Sequence, residues 1–407
     1  MRILALTVGG SPEPVIRSIK ENNPDKVVFF VTVEPRGGSK KIVLEKTEKG
    51  ESIISATALD PEDFELVEIT SPDSLSETFE VIYATLTRLG KQHPDAERIA
   101  DYTGGTKTMS VSLALAALRL NWTLSLVTGL RADTEKVLDK TEVVERLDLG
   151  LLKFEEVLEE AGHLFDLYDY DAADRALSRF AREVPLSGGA QGKLKLAITL
   201  TRGFAAWDRF EHELALSLLS PCARFCVENV RFLREIVQGK YSGYAKVWEL
   251  IRSAERRAAR GQYDEAVMRL YRAVELLAQY RLLERHRIDT GDIKPERIPE
   301  PIRSELLRLK SGGKITAGLV DSFRVLQALG DPLGELYSRG WGEKLKDVQG
   351  KRNKSVLAHG LEPVSREDWE RCHRLVSGFV EEAFAHLGIR ISAPQFPKWE
   401  ELFSNTG

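Results

Sequence analysis

The sequence predicts two architectures in series, an α/β domain on a parallel, doubly wound sheet over residues 1–148 and an all-helical region after it. Two observations predict this. Before residue 148, short β-branched runs alternate with amphipathic stretches, the pattern of strands joined by crossover helices. After Gly150 the apolar spacing becomes helical and stays so almost to the end, in a composition rich in Leu, Ala, Glu and Arg. With 407 residues, 43% hydrophobic and 29% charged, the chain has apolar material for two or three cores. Disordered, collagenous and coiled-coil classes are excluded.

The expected strands are Arg2 to Val8, Lys26 to Val33, Phe64 to Ile69, Arg98 to Tyr102 and Trp122 to Thr128. Between the second and third, Pro35 to Ser52 is rich in Gly, Lys and Glu and predicts a long surface loop or small hairpin. A helix opens at Ser74, whose spacing to Glu77 reads as a capping box, and carries Leu75, Phe79, Ile82, Leu86 and Leu89 on one side. Val111 to Leu130 is the strongest membrane candidate, yet Arg119 and Asn121 interrupt it, so a helix followed by a strand is expected. The apolar run at the N-terminus is too short for a secretory core. The expectation is a soluble, unprocessed, cytoplasmic protein with no membrane contact.

In the helical half, the aromatic-acidic pairs Tyr170-Asp171, Phe210-Glu211 and Tyr263-Asp264 each open a helix, at unequal separations that suit hairpins and not a repeat array. Residues 288 to 301, with Pro295, Pro299 and Pro301, form a loop, and a glycine-rich interruption runs from Gly330 to Gly350. Cys222, Cys226 and Cys372 are too few for a disulfide framework and lack zinc spacing, so they read as packing residues in a reducing compartment. The net charge is −4. Residues 1–150 hold 18 Lys and Arg against 24 Asp and Glu, and the remainder 40 against 38. Neither part is a basic nucleic-acid surface, and any such contact must be local.

Two turns sit where open α/β sheets place ligands, at the carboxyl ends of strands. One is Val8-Gly9-Gly10-Ser11; the other is Asp101-Tyr102-Thr103-Gly104-Gly105-Thr106-Lys107-Thr108-Met109, running into a helix. Glycines let backbone approach a ligand, a helix start offers free N–H groups, and Thr106 and Lys107 add a hydroxyl and a cation, so the chemistry favours a phosphate. A P-loop would need glycine where Asp101 and Thr106 stand, and Gly9-Gly10 lacks the third glycine of a dinucleotide fingerprint. A ligand-free strand-to-helix turn remains the bland alternative.

These residues closely resemble the CARF family, the CRISPR-associated Rossmann fold. The resemblance implies a dimer that binds a cyclic oligoadenylate on its two-fold axis, with Thr106 and Lys107 holding phosphates and Gly9, Gly10 and Ser11, with Thr103, Gly104 and Gly105, walling the site. Cleavage of the activator by Lys107 or Thr106 is left open, since neither loop holds a histidine.

The second motif is Arg352-Asn353-Lys354-Ser355-Val356-Leu357-Ala358-His359-Gly360. On a helix, Arg352 and His359 would share a face roughly 10 Å apart along the axis, with Gly360 ending the helix. A cation beside an imidazole suits an RNA phosphodiester, with Arg352 neutralising charge on phosphorus, His359 as general base or acid and Asn353 orienting either partner; no metal is needed. Spacing alone is weak, because Arg88/His93, Arg281/His286 and Arg366/His373 share it. Those three read as solvated helix-face pairs, with His286 and His373 capping or partly buried.

The whole nonapeptide resembles the active-site motif of HEPN ribonucleases, and Gly261 to Leu276 resembles an early HEPN helix. That family joins two motifs across a dimer to cut single-stranded RNA without metal, leaving a 2′,3′-cyclic phosphate. CARF followed by HEPN is the order of type III CRISPR ancillary ribonucleases. The implied layout is a CARF sensor at 1–148, a helical spacer or early HEPN helices at 149–240, and a HEPN domain at 241–407. Cyclic oligoadenylate would be the allosteric activator, with no cofactor and no stable DNA binding. The alternative is a catalytically inactive sensor whose HEPN-like half only dimerises or binds RNA. A transcription factor is disfavoured, because no helix-turn-helix with a basic recognition helix precedes Pro394 and Pro397.

Overall fold

Why the first region is an α/β layer structure is visible in its central strand. In a computed structural model, which describes residues 1–33, 38–46, 51–128, 143–147, 150–300, 302–308 and 314–403, strand β1 (Arg2–Thr7) has Ile3, Leu4, Ala5 and Leu6 all fully buried. Burial on both faces is what parallel sheets require, since crossover helices cover each side. The others are β2 (Lys26–Thr32), β3 (Phe64–Ile69), β4 (Glu97–Asp101), β5 (Thr123–Thr128) and β6 (Val143–Leu147). The order is β3-β2-β1-β4-β5-β6. β1 pairs in parallel with β2 and β4, Leu4 lying opposite Val27 and Ile99. Only the β5–β6 pairing is antiparallel among the described residues. The five expected strands are present, and β6 is an addition that a parallel alternation does not foretell.

Two apolar layers flank this sheet. Ile3, Ala5, Val28, Phe30 and Ala100 meet Ile82, Leu86 and Leu89 of helix Leu75–Gln92 and Met109, Leu113 and Ala116 of helix Lys107–Leu120. Leu4, Leu6, Val27, Phe29 and Ile99 meet Val15 and Ile19 of helix Glu13–Asn22 on the other side. Three local expectations are corrected. Residues 38–44 of the expected loop include a helix, Ser39–Leu44, whose Ser39 Oγ accepts from Thr32 N at 3.0 Å; Pro35 to Gly37 and Thr47 to Gly50 lie outside the described residues. Ser74 does begin its helix, but its side chain makes no capping bond and sits 3.5 Å from Ser76 Oγ, so the capping box does not form. The glycine-rich stretch 330–350 is mostly helical, as Pro332–Leu336, a π turn at Tyr337–Trp341 and Gly342–Lys354. Its breaks are the positive φ of Gly330 (68°) and Gly340 (129°), which an L side chain would resist.

The chain divides into two compact units, Met1–Lys153 and Phe154–Gly407. The second is helical throughout its described residues, as expected. One of its cores holds Tyr244, Ile251, Leu270, Val274, Phe323, Phe379 and Val380 on helices Ser242–Ala259, Tyr263–His286, Leu319–Ala328 and Arg366–Leu387. Another joins Phe204, Trp207, Leu219 and Leu233 to Ala393, Phe396 and Leu402, so the C-terminal segment packs among residues 165–245. Arg256 ties these layers together. Fully buried, it donates to Asp208 (2.7 Å), Glu249 (2.6 Å) and Gln395 (3.0 Å) and lies 3.8 Å above the Phe396 ring. Cys222, Cys226 and Cys372 are buried and unbridged, in keeping with a packing role. Among the described residues no helix is long and apolar enough to cross a membrane.

Candidate functional site

Strand order reverses between β1 and β4, where the connections leave on opposite sides, and such a reversal opens a crevice outside the strands' carboxyl ends. Both glycine loops lie there. A Cβ on Gly9 would stand 2.8 Å from the Gly105 nitrogen, and one on Gly104 would overlap the Thr7 carbonyl oxygen, so the two loops touch backbone to backbone. Gly105 takes φ +84°. Any side chain at these positions would force the loops apart.

Most hydroxyls here are already engaged in holding the loops. Thr7 Oγ1 and Ser110 Oγ both donate to the Gly104 carbonyl, at 2.7 and 2.8 Å. Thr103 Oγ1 accepts from Val127 N at 2.8 Å. Thr106 is the N-cap of helix Lys107–Leu120, accepting from Met109 N at 3.2 Å and donating to Pro72 O at 2.9 Å. Asp101 is buried, accepts Thr103 N at 3.0 Å through one oxygen, and takes Ser18 Oγ (2.7 Å) and Ser125 Oγ (3.0 Å) through the other. Lys107, at the first turn of the helix, is exposed and has no ion-pair partner among the described residues. Gly10 and Ser11 are also exposed. What the crevice offers an anion is therefore backbone, the helix N-terminus and the Lys107 ammonium. The structural roles of Asp101, Ser18 and Ser125 were missed from sequence; a carboxylate ending a strand before a Gly-Gly turn was the available signal.

The second site lies in the other unit and departs from its expected shape. Arg352 and Asn353 are on helix Gly342–Lys354, but the helix stops at Lys354, with Ser355 extended (φ −73°, ψ 157°) as its C-cap. His359 is therefore on a turn and not on the same helical face. The cause is local: Ser355 Oγ accepts Leu357 N at 3.3 Å and Ser355 O accepts Ala358 N at 3.0 Å, offering the backbone an alternative to continuing the helix. The turn then folds back. His359 N donates to Asn353 O at 3.4 Å and Glu362 N to Lys354 O at 3.0 Å, which brings His359 beside Asn353 by another route. Gly360 has no left-handed φ; it is needed because a Cβ there would overlap the Lys354 carbonyl and come within 2.6 Å of the Lys354 Cα.

Around this turn, Arg352 Nη1 donates to Asn353 Oδ1 at 2.9 Å and its guanidinium carbon lies 5.1 Å from the Tyr271 ring centroid. Arg352 Nε is buried without a partner. Burial pushes the Tyr271 hydroxyl up, Glu275 adds to this and Arg352 opposes it, so the ring is a neutral platform for the cation. Tyr271 falls within the stretch resembling an early HEPN helix, where the sequence marks no role for it, because the contact depends on tertiary placement. His359 and Asn353 are exposed, as are Val356 (59%), Leu357 (51%) and Leu361 (88%) beside them. The helix is anchored by Lys351 to Asp368 (2.9 Å); that hydrogen bond holds the Asp368 carboxyl below its ordinary range.

The other Arg/His pairs have structural partners. Arg281 and His286 both reach buried Asp331, each at 2.9 Å, and His373 meets Glu255 at 3.0 Å. His286 and His373 are thus partly buried and engaged, while Arg88 binds half-buried Glu65 and Arg366 binds exposed Glu370. Among the described residues, no group of three or more His, Cys, Asp or Glu is placed to hold a metal ion.

Comparison with known proteins meets this geometry. Residues 237–383 match the family described as the Csm6 HEPN domain, a span that holds Tyr271, Arg352, Asn353 and His359. The CRISPR system endoribonuclease Csm6 of Thermus thermophilus is 27% identical over 366 residues, covering 78% of this chain and 75% of that one. Csm6 of Enterococcus italicus, solved bound to cyclic hexa-2′-fluoro-hexa-dAMP, superposes with a TM-score of 0.65 at 15% identity, over 99% of this chain and 98% of that one. These findings bear out the resemblance to type III CRISPR ribonucleases of CARF-HEPN architecture and the fold class expected from sequence.

Proposed function

We propose that this protein is a CRISPR type III endoribonuclease that cyclic oligoadenylate switches on, and that it cuts single-stranded RNA without a metal ion. The observation that carries the reading is the turn that places His359 beside Asn353 and the Tyr271-supported Arg352, inside a stretch matching the Csm6 HEPN family. An imidazole and a guanidinium are the groups that transesterification of an RNA phosphodiester needs. His359 takes the proton of the 2′-hydroxyl as its oxygen attacks phosphorus, Arg352 neutralises the charge building on the phosphoryl oxygens, and Asn353 orients Arg352. The bond from phosphorus to the 5′-oxygen breaks, that oxygen takes a proton, and a 2′,3′-cyclic phosphate and a 5′-hydroxyl result.

One histidine cannot both receive and give a proton in the same step, so we assign the second role to His359 of another copy of the chain. Exposed Val356, Leu357 and Leu361 give the motif an apolar rim suited to such a pairing. In the first unit, the crevice between the Gly9–Ser11 and Thr103–Lys107 loops is assigned to the activator. Lys107 and the backbone N–H groups hold its phosphates, and binding there shifts the population of cleavage-competent dimers.

The test is cleavage of a labelled single-stranded RNA without ligand, with cyclic tetra-adenylate and with cyclic hexa-adenylate, in EDTA, for wild type and His359→Ala. Activation by one ring, unaffected by EDTA and lost in the variant, is expected. Equal cleavage with and without ligand would overturn the switch. Binding of a ring with no cleavage by either protein would leave a non-catalytic sensor.

A further inference from the structure

Helices Gly150–Asp166, Tyr170–Glu183 and Gly188–Asp208 contribute to a groove of about 740 Å³ that plays no part in either site. Four arginines line it, Arg175, Arg179, Arg182 and Arg202, against the carboxylates Glu160 and Asp174. Arg175, Arg179 and Arg182 stand at i, i+4 and i+7 of one helix, so their guanidiniums project from one face over about 10 Å of axis. All four arginines are exposed.

Of the two lining carboxylates, Asp174 is already engaged. Asp174 Oδ1 accepts Arg202 Nε at 2.8 Å, and Arg202 Nη2 donates to Ser178 Oγ at 3.0 Å, which fixes Arg202 at the groove wall. Arg175, Arg179 and Arg182 have no ion-pair partner among the described residues. Like charges one turn apart on a helix repel, and a chain of net charge −4 does not gather four arginines in one groove through general basicity. Other exposed arginines of this unit, Arg209, Arg231, Arg339 and Arg366, each hold a carboxylate. Three unpaired forks in a row match a ligand carrying a row of phosphates, each of which a guanidinium can grip through two parallel hydrogen bonds. The groove's apolar wall is Leu164, Ala172 and Ala176, with no aromatic ring on which a base could stack. It would therefore grip backbone and ignore sequence.

We infer that this groove binds the phosphate backbone of single-stranded RNA and holds long substrates on the enzyme away from the Arg352–His359 turn. The inference rests on the ribonuclease reading for the identity of the strand. It is tested with full-length wild type and the triple variant Arg175→Gln, Arg179→Gln, Arg182→Gln, using anisotropy of a labelled 2′-O-methyl RNA. That RNA lacks the attacking hydroxyl and stays intact. Affinity is read over a salt series. Neutralising three single-strand phosphates contributes about 0.7 each to the slope of log affinity against log salt, so the variant should lose about 2 from the slope and bind at least about tenfold more weakly. Lysine at the same three positions should restore most of the slope, because charge and not packing carries it.

Equal affinity and slope in wild type and triple variant would overturn the inference. So would an unchanged RNA affinity accompanied by lost binding of polyglutamate, which would assign the groove to an acidic protein segment. The ribonuclease reading fails separately, through a wild type that binds the modified RNA in the groove but never cuts the unmodified one.

Discussion

Replacing Gly360 by alanine tests the geometry of the candidate catalytic turn more directly than replacing His359 does. If Arg352 and His359 shared one helix ended by a left-handed glycine, alanine at 360 would cost only the strain of that φ, about 1 kcal/mol. The structure gives a different reason for glycine. A Cβ at 360 would overlap the Lys354 carbonyl and approach the Lys354 Cα within 2.6 Å, and backbone cannot swing aside as a flexible side chain would. The turn must open, breaking the bonds of Gly360 N to Ser355 O (3.3 Å), His359 N to Asn353 O (3.4 Å) and Glu362 N to Lys354 O (3.0 Å). Because the turn is at the surface, loss of stability should be modest, about 1–3 kcal/mol for forced overpacking. Catalysis should suffer more, since a displacement of about 1 Å in a reacting group can lower the rate about a hundredfold. The assay pairs thermal unfolding with activated RNA cleavage, and kcat should fall about a hundredfold while the protein stays folded and still binds the activator. A variant that cuts within about twofold of wild type would refute the close approach of Gly360 to Lys354 and, with it, the placement of His359.

In the first unit, Lys107→Ala should weaken binding of the cyclic oligoadenylate. Thr106→Val should chiefly destabilise the domain, by about 1 kcal/mol for the lost cap, because its hydroxyl is spent on Met109 N and Pro72 O; calorimetric titration and melting of both variants check this, and equal affinity losses would refute it. Arg256→Met should destabilise the helical unit by about 3–5 kcal/mol, since it leaves Glu249 buried without its cation and Asp208 with Arg257 alone; denaturant unfolding that matches wild type would show the network to be dispensable. Burial, with Lys246 and Arg256 adding repulsion, lowers the His212 imidazole from 6.5 to about 4. The unfolded chain therefore takes up this proton first, and stability present above about pH 6.5 should be lost as pH falls toward 4. His212→Leu should flatten that part of the pH–stability curve, and an identical slope in both proteins would count against the effect.

The sequence made some features legible and others not, and the difference is physical. Strand runs such as Lys26–Thr32 were readable because burial on both faces of a parallel sheet demands unbroken apolar residues. Helix openings at Tyr170 and Tyr263 were readable because an acidic residue follows in the first turn, where the helix dipole favours it. The Gly9–Gly104–Gly105 contact left three glycines as its trace. By contrast, the end of the helix at Lys354 turns on Ser355, one residue in a stretch whose helical propensities argue for continuation. The platform under Arg352 comes from Tyr271, 81 positions earlier. Nothing in local spacing encodes that contact.

The failed helix at Ser355 also bears on how the two candidate sites are built. In the crevice, Thr103 and Thr106 carry the residue types expected of ligand contacts, yet their hydroxyls shape backbone. In the turn, Ser355 does the same, holding Leu357 N and freeing His359 from the helix. In both places short hydroxyl side chains compete with regular hydrogen bonding to set a backbone path, and the group that is left exposed, Lys107 or His359, is the one we assign to a phosphate. Residue type in a motif therefore misleads about role when the hydroxyl is small and local. Substitutions of Thr106 or Ser355 should be judged first by what happens to the helix end, and only then by what happens to the ligand.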